Sequence, residues 1–260
     1  MTRRGVREIV LLLALFGAYS GARMLADTDL VAARRHAGGV LGLERLLGLD
    51  VEAGVNHAVS ATPWAAAGMS FWYAALHYVV TPLVLVWLYR RHRDRYPAAR
   101  NALVIGSALG LVGYVLLPTA PPRLMGGGYV DVLASTADLG WWSSHASAPA
   151  GLGSFTNELA AMPSLHVGWA FWVAWALRGM LPRIIGFLYA GITAAVVVGT
   201  GNHWVLDAVA GVAVVTAGIV VASRRQRRVA PAAADQRVVR PRLEDAPVVH
   251  HRDLVGAADR

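Results

Sequence analysis

The chain has 260 residues, 56% of them hydrophobic and only 15% charged, which exceeds the apolar content a soluble core needs and predicts an integral membrane protein. It contains no cysteine and no lysine, so all 24 basic residues are arginine; disulfides, thiolate metal sites, a cysteine nucleophile and lysine-based chemistry are excluded. The net charge of +8 does not point to nucleic acid as a partner, because the arginines stand at the edges of apolar runs and in a tail.

Along the chain, six apolar runs are long enough to cross a bilayer at roughly 20 residues per span. They cover about 8–26, 69–89, 101–118, 164–181, 184–200 and 204–222. The first follows Arg3, Arg4 and Arg7 and ends near the small residues Ser20, Gly21 and Ala22, as a secretory signal also would; it is read as a retained helix, because its removal disturbs the charge pattern described below. Residues 27–68 mix Arg34, Arg35 and Arg45 with Asp27, Asp29, Glu44, Asp50 and Glu52, and are predicted to form short amphipathic helices on the membrane surface. The connection 119–162 carries Gly126-Gly127-Gly128, several serines and Trp141-Trp142, which predicts an irregular cap with aromatic anchoring at the interface. Residues 229–260 lack a sustained apolar period and are predicted as a disordered cytoplasmic tail. The expected fold class is therefore all-α: a polytopic membrane bundle of about six helices over residues 1–228, followed by the tail.

Arginines crowd every alternate connection. Arg3, Arg4 and Arg7 precede the first run; Arg90, Arg91, Arg93, Arg95 and Arg100 follow the second; Arg178 and Arg183 flank the connection after the fourth; Arg224, Arg225, Arg227 and Arg228 follow the sixth. Under the positive-inside rule, six spans with both termini in the cytoplasm satisfy all these clusters. The expected location is the cell membrane, and the end of the third span and the starts of the fourth and sixth then share the exoplasmic face.

Those three places carry the polar chemistry. Thr119 to Arg123 close the third run, Pro163-Ser164-Leu165-His166 open the fourth, and His203, with Asp207 four residues on, opens the sixth. A phosphoryl site needs a nucleophile, a group to hold it, a proton donor for the departing oxygen and positive potential for the remaining oxygens. His203 and Asp207 share a helix face, so the carboxylate can fix one imidazole nitrogen and leave the other free to attack phosphorus. His166 can protonate the leaving alkoxide and later deprotonate water or an alcohol. Ser164 and the free amides at the start of the fourth helix offer an anion cradle, with Pro163 suited to the first turn. Arg123 offers a planar fork for phosphate oxygens.

These motifs resemble those of the membrane-bound type-2 phosphatidic acid phosphatase superfamily, which includes lipid phosphatases, vanadium haloperoxidases and sphingolipid synthases. The resemblance covers about residues 70–215. The wording Pro118-Thr-Ala-Pro-Pro-Arg123, Ala161-Met-Pro-Ser-Leu-His166 and Gly199-Thr-Gly-Asn-His203 is most similar to the branch of inositol phosphorylceramide synthases and their bacterial relatives. The resemblance implies a helical bundle, no obligatory metal or other cofactor, and a phosphohistidine intermediate, with His203 as nucleophile, Asp207 as its orienting carboxylate and His166 as general acid and base. Departures are equally plain. Leu116 and Val197 stand where ordinary phosphatases carry a lysine and an arginine, and Leu165 stands where glycine is usual. One obvious cation in place of three favours a phosphodiester donor, and transfer, over a dianionic monoester and hydrolysis.

Each motif also has a purely structural reading: Ser164 as a helix cap, His203 and Asp207 as a buried hydrogen-bonded pair, Arg123 as an interfacial anchor. Their shared order and sidedness favour function. His77, Asn202 and Asn157 are secondary candidates for substrate binding, against the plainer roles of helix contact and turn formation. Trp72, Trp141, Trp142 and Trp204 read as interfacial belt residues, while Trp169, Trp172 and Trp175 read as packing or acyl-chain contacts. The function expected is a lipid phosphatase or phosphotransferase acting on a lipid phosphate or phosphodiester at the exoplasmic face. A non-catalytic lipid-binding or transport protein is the alternative, and vanadate-dependent halide oxidation is disfavoured by the shortage of cations.

Overall fold

The computed structural model describes residues 29–142 and 158–244, together with residues 5, 6, 8, 10, 17 and 21. Most of the first predicted span thus lies outside the described residues, as do Asn157 and the tail beyond Glu244. The chain divides into two compact units, Met1–Ala222 and Ser223–Arg260.

The fold is all-α; among the described residues there is no strand, only the isolated bridges Thr119–Ala160 and Arg178–Leu181. Helix α1 spans Leu30–Leu47 and α2 Glu52–Ser60, followed by the long α3 (Pro63–Arg91) and α4 (Tyr96–Leu116). After the cap, with its short α5 (Val132–Ser135), come α6 (Leu165–Ala176), α7 (Arg183–Gly199) and α8 (Val205–Glu244). The Asp29 side chain starts α1 by accepting from the Val31 and Ala32 amides at 2.8 and 3.1 Å, the ordinary N-cap arrangement. Pro63 occupies the first turn of α3, where its missing N–H costs nothing. The segment expected as short amphipathic helices on the membrane surface supplies α1 of 18 residues and α2 of 9.

Among the described residues three helices are long and apolar enough to cross a membrane: α3, α4 and the Val205–Gln226 part of α8. The fourth predicted span, expected over about 164–181, is shorter than expected, because α6 has 12 residues, whereas α7 with 17 matches the fifth. At 1.5 Å per residue a helix of 12 residues reaches about 18 Å, short of the roughly 30 Å hydrocarbon core. The cause is local: Gly179 takes a left-handed φ of 75° and Pro182 cannot continue a helix. The two short helices pack on one another as a hairpin.

One core cluster joins Leu88 of α3, Tyr96 and Leu103 of α4, Trp172 of α6 and Val215 of α8. A second joins Tyr73, Leu133, Trp142, Val167 and Val196 to Val198, and a third seats α1 through Ala33, Ala37 and Val40 on Trp204. Trp142 and Trp204 are therefore core residues and not belt residues: each is 2% exposed or less, and their indole N–H groups donate to the Leu133 and Ala120 carbonyls at 2.9 Å. A buried indole needs one such acceptor, and the cap supplies it. Trp141, by contrast, is 48% exposed. Trp169 and Trp172 pack as expected, donating to Ser107 Oγ at 3.0 Å and the Ala99 carbonyl at 2.8 Å.

Candidate active site

The two histidine motifs meet because α6 and α8 touch backbone to backbone. The Ser164 amide donates to the Asp207 carbonyl at 2.8 Å. A methyl group on Gly168 would lie 2.8 Å from the Gly211 carbonyl oxygen, and one on Gly211 would lie 2.9 Å from the Ser164 carbonyl carbon and closer still to its oxygen. Only residues without a side chain allow that approach, as small residues do generally at membrane helix crossings.

His203 stands just before α8 and is 4% exposed. Its Nδ1 lies 2.8 Å from the Ala161 carbonyl oxygen and 3.4 Å from Asp207 Oδ2. A carbonyl oxygen can only accept, so Nδ1 carries the proton and Nε2 keeps its lone pair. The spacing argument anticipated Asp207 in the orienting role, but the nearer partner is main chain. Asp207, fully buried, also accepts from the Trp204 amide at 2.8 Å through Oδ2. The carboxylate therefore fixes the turn that carries His203 as well as facing its ring.

His166 lies in the first turn of α6, its ring centroid 5.7 Å from that of His203. Tyr73 stacks on it at 4.4 Å and His77 meets it edge-on at 4.3 Å. The fold thus brings His77 to the site. A narrow cleft lies beside these rings, lined by Trp72, Leu76, Tyr189 and Val197 among others.

Arg123 is brought to the turn before His203, its amide donating to the Gly201 carbonyl at 2.9 Å. Its side chain is 3% exposed and already engaged: Nε donates to Asn202 Oδ1 at 3.0 Å, Nη1 to Asp131 Oδ2 at 3.1 Å, and Nη2 lies 3.6 Å from Glu158 Oε2. Two carboxylates offset one guanidinium, so the local positive potential is smaller than the sequence alone suggested. Asn202 in turn donates to Thr200 Oγ1 at 3.0 Å, which makes it the link between Arg123 and the His203 turn. Ser164 is fully buried, and its Oγ accepts from the Val167 amide at 3.5 Å as the N-cap of α6. Pro163 precedes that cap, so it lies before the helix and not in its first turn, a correction to the sequence reading. Asn157 is outside the described residues.

Three residues that the sequence left without a role support the site from α1 and α2. Asn56 is buried and bridges the cap to α7: its Oδ1 accepts from the Val130 amide at 2.8 Å, and its Nδ2 donates to the Val130 and Gly199 carbonyls at 3.0 Å. Glu44 and Glu52 accept from the Leu206 and Val205 amides at 2.7 and 3.0 Å. Acidic residues on an amphipathic helix are the only sequence signal, and it is equally that of a solvated face. Among the described residues no group of three or more His, Cys, Asp or Glu is arranged to hold a metal ion.

A membrane helical bundle in which two histidines and a carboxylate converge from separate helices defines the class of protein to which the chain can be compared. The family described as the PAP2 superfamily matches residues 38–221, and the chain belongs to that superfamily. No curated protein matches it. Among solved structures, the crystal structure of Aquifex aeolicus LpxE is similar at 17% identity and a TM-score of 0.46, over 68% of this chain and 94% of that one.

Proposed function

We propose that the chain is a membrane lipid phosphatase or phosphotransferase that works at the exoplasmic face through a phosphohistidine on His203. The observation that carries this reading is the Nδ1 contact of His203 with the Ala161 carbonyl at 2.8 Å, which leaves Nε2 as the free nucleophile beside His166. Superfamily membership supports the lipid phosphatase class. In the first half-reaction Nε2 attacks phosphorus, the bond to the leaving oxygen breaks, and His166 gives that oxygen its proton. In the second, His166 takes a proton from water or an alcohol, the new oxygen attacks phosphorus, and the P–N bond breaks to free His203. Asp207, facing the imidazole, stabilises the positive charge that the ring carries as phosphohistidine. The scheme draws only on protein groups.

The compensation of Arg123 by Asp131 and Glu158 favours a singly charged phosphodiester donor over a dianionic monoester. That supports head-group transfer of the inositol phosphorylceramide synthase kind over simple hydrolysis. The exoplasmic placement draws support from Glu8, whose carboxylate bonds Arg100 and Tyr96. Glu8 is thus a neighbour of the arginine-rich connection after α3, which agrees with the sidedness read from the charge pattern.

The test is turnover by detergent-purified protein against lipid monoesters, diphosphates and phosphodiesters, with and without a long-chain alcohol, beside His203→Ala and His166→Ala. Loss in both variants, with phosphate trapped acid-labile on the wild type, is expected. Full activity of His203→Ala would sink the reading, and a strong preference for a monoester would sink its transferase half.

A further inference from the structure

Three carboxylates converge on three consecutive amides at the head of α8. Asp207 accepts from Trp204, Glu52 from Val205 and Glu44 from Leu206, at 2.8, 3.0 and 2.7 Å. The last two arrive from α2 and α1, 153 and 162 residues away in the chain. Both side chains are enclosed, at 1% and 0% exposure. Each uses Oε1 for its amide, and in each Oε2 is buried with no donor among the described residues. The two carboxyl groups lie within hydrogen-bonding reach of one another.

Two neighbouring carboxyl groups in an enclosed place, each with a buried oxygen that has no donor among the described residues and with a third carboxylate nearby, cannot both stay ionised. One proton between them satisfies both. We propose that Glu44 and Glu52 share a single proton between their Oε2 atoms and, as a pair, clamp the first turn of α8, which makes them positioning residues for His203. This rests on the reading of His203 as the nucleophile. The clamp sets where Nε2 points, because the amides it holds belong to the residues immediately after Trp204.

The charged and titratable groups around the pair are Asp207 from α8 and Tyr129 from the cap, with Arg45 and Asp50, at and after the end of α1, beyond them near Tyr129. Arg45 and Asp50 face each other at 3.9 Å and are largely exposed, so they do little to neutralise an enclosed pair. Burial, then the negative charge of Glu52 and Asp207, pushes the Glu44 carboxyl from 4.5 up to about 8. Above that pH the proton leaves, neighbouring anions repel, and the hold on α8 weakens.

The experiment uses the full chain in detergent with two readouts. Infrared spectroscopy of the wild type should show a protonated carboxyl C=O band that vanishes as pH passes about 8, and Glu44→Gln should lack it. In turnover, Glu44→Leu should lower kcat by roughly tenfold to a hundredfold with little change in KM, as displacement of a reacting group does. Glu44→Gln should rescue it, since an amide accepts from Leu206 and donates to Glu52, and its kcat should lose the alkaline limb of the wild type. A wild type without the band, or a band that persists in both Glu44→Gln and Glu52→Gln, overturns the shared proton. An unchanged alkaline limb in Glu44→Gln overturns the link to catalysis. If instead His203→Ala turns over normally, the nucleophile reading fails while the infrared result still decides the shared proton.

Discussion

Gly211→Ala should separate the two histidine motifs without touching either. Gly211 lies one turn after Asp207 on α8, where a methyl group would meet the Ser164 carbonyl, its carbon at 2.9 Å and its oxygen nearer. Ordinary contact begins at 3.4 Å, so relief of the carbon contact alone moves the start of α6 by about half an ångström, and the oxygen demands more. The atoms that clash are main chain, so no rotamer change can absorb them. Overpacking of this kind costs about 1–3 kcal/mol of stability, while a shift approaching 1 Å between reacting groups costs on the order of a hundredfold in rate. His166 begins α6 and His203 precedes α8, so the rate should suffer more than the fold. The assay is kcat and KM on the preferred lipid phosphoester, beside thermal unfolding in detergent. Gly191→Ala on α7, where nothing lies within 4 Å, is the control and should be neutral or slightly stabilising, by up to about 1 kcal/mol. A Gly211→Ala protein with kcat within twofold of wild type would refute the argument that this crossing sets the distance between the histidines.

Asp207→Asn should slow turnover by roughly a hundredfold, well short of the ~10⁴-fold expected where a carboxylate alone sets the tautomer, because the Ala161 carbonyl still holds Nδ1–H; a ~10⁴-fold loss in single-turnover kinetics would refute this. Arg123→Lys keeps the charge but not the fork that reaches Asn202, Asp131 and Glu158, and should destabilise the fold by about 1.5–3 kcal/mol; an unchanged unfolding temperature would show that those contacts carry no weight. The raised Glu44 carboxyl also links stability to pH. The folded chain keeps a proton that the unfolded chain releases above 4.5, so this contribution is complete below that pH and is lost as pH rises through about 8. Thermal melts should therefore show an unfolding temperature that falls across that window, and Glu44→Gln should remove that part of the slope.

The parts of the site that were legible in the sequence are those whose chemistry lies in one helical turn. His203 and Asp207 are four apart and His166 follows its own proline, so spacing and the alternation of arginine clusters were enough to expect them together, and the two imidazole rings lie 5.7 Å apart. Where sequence reasoning fell short, the partner is distant or is main chain. Glu44 and Glu52 look like acids on a solvated helix face until α1 and α2 fold onto residues 153 and 162 positions away. Trp142 and Trp204 look like belt residues until the cap supplies a carbonyl to each indole. The short α6 was foreseeable, since Gly179 and Pro182 are visible helix stops inside an apolar run that hydropathy alone reads as continuous.

The hold on His203 shows why its surroundings resist reading from side-chain identity. Its Nδ1–H donates to the Ala161 carbonyl, and its neighbour Asp207 offers its own carbonyl to the Ser164 amide. Any residue supplies those main-chain atoms, so the types at positions 161 and 164 do not encode the contacts. What the chain does encode is the permission for backbones to come this close, and that permission is Gly168 and Gly211. The distance between His203 and His166, the proposed nucleophile and proton donor, is therefore set by residues with no chemistry of their own, which is why Gly211→Ala tests the site as directly as replacement of either histidine.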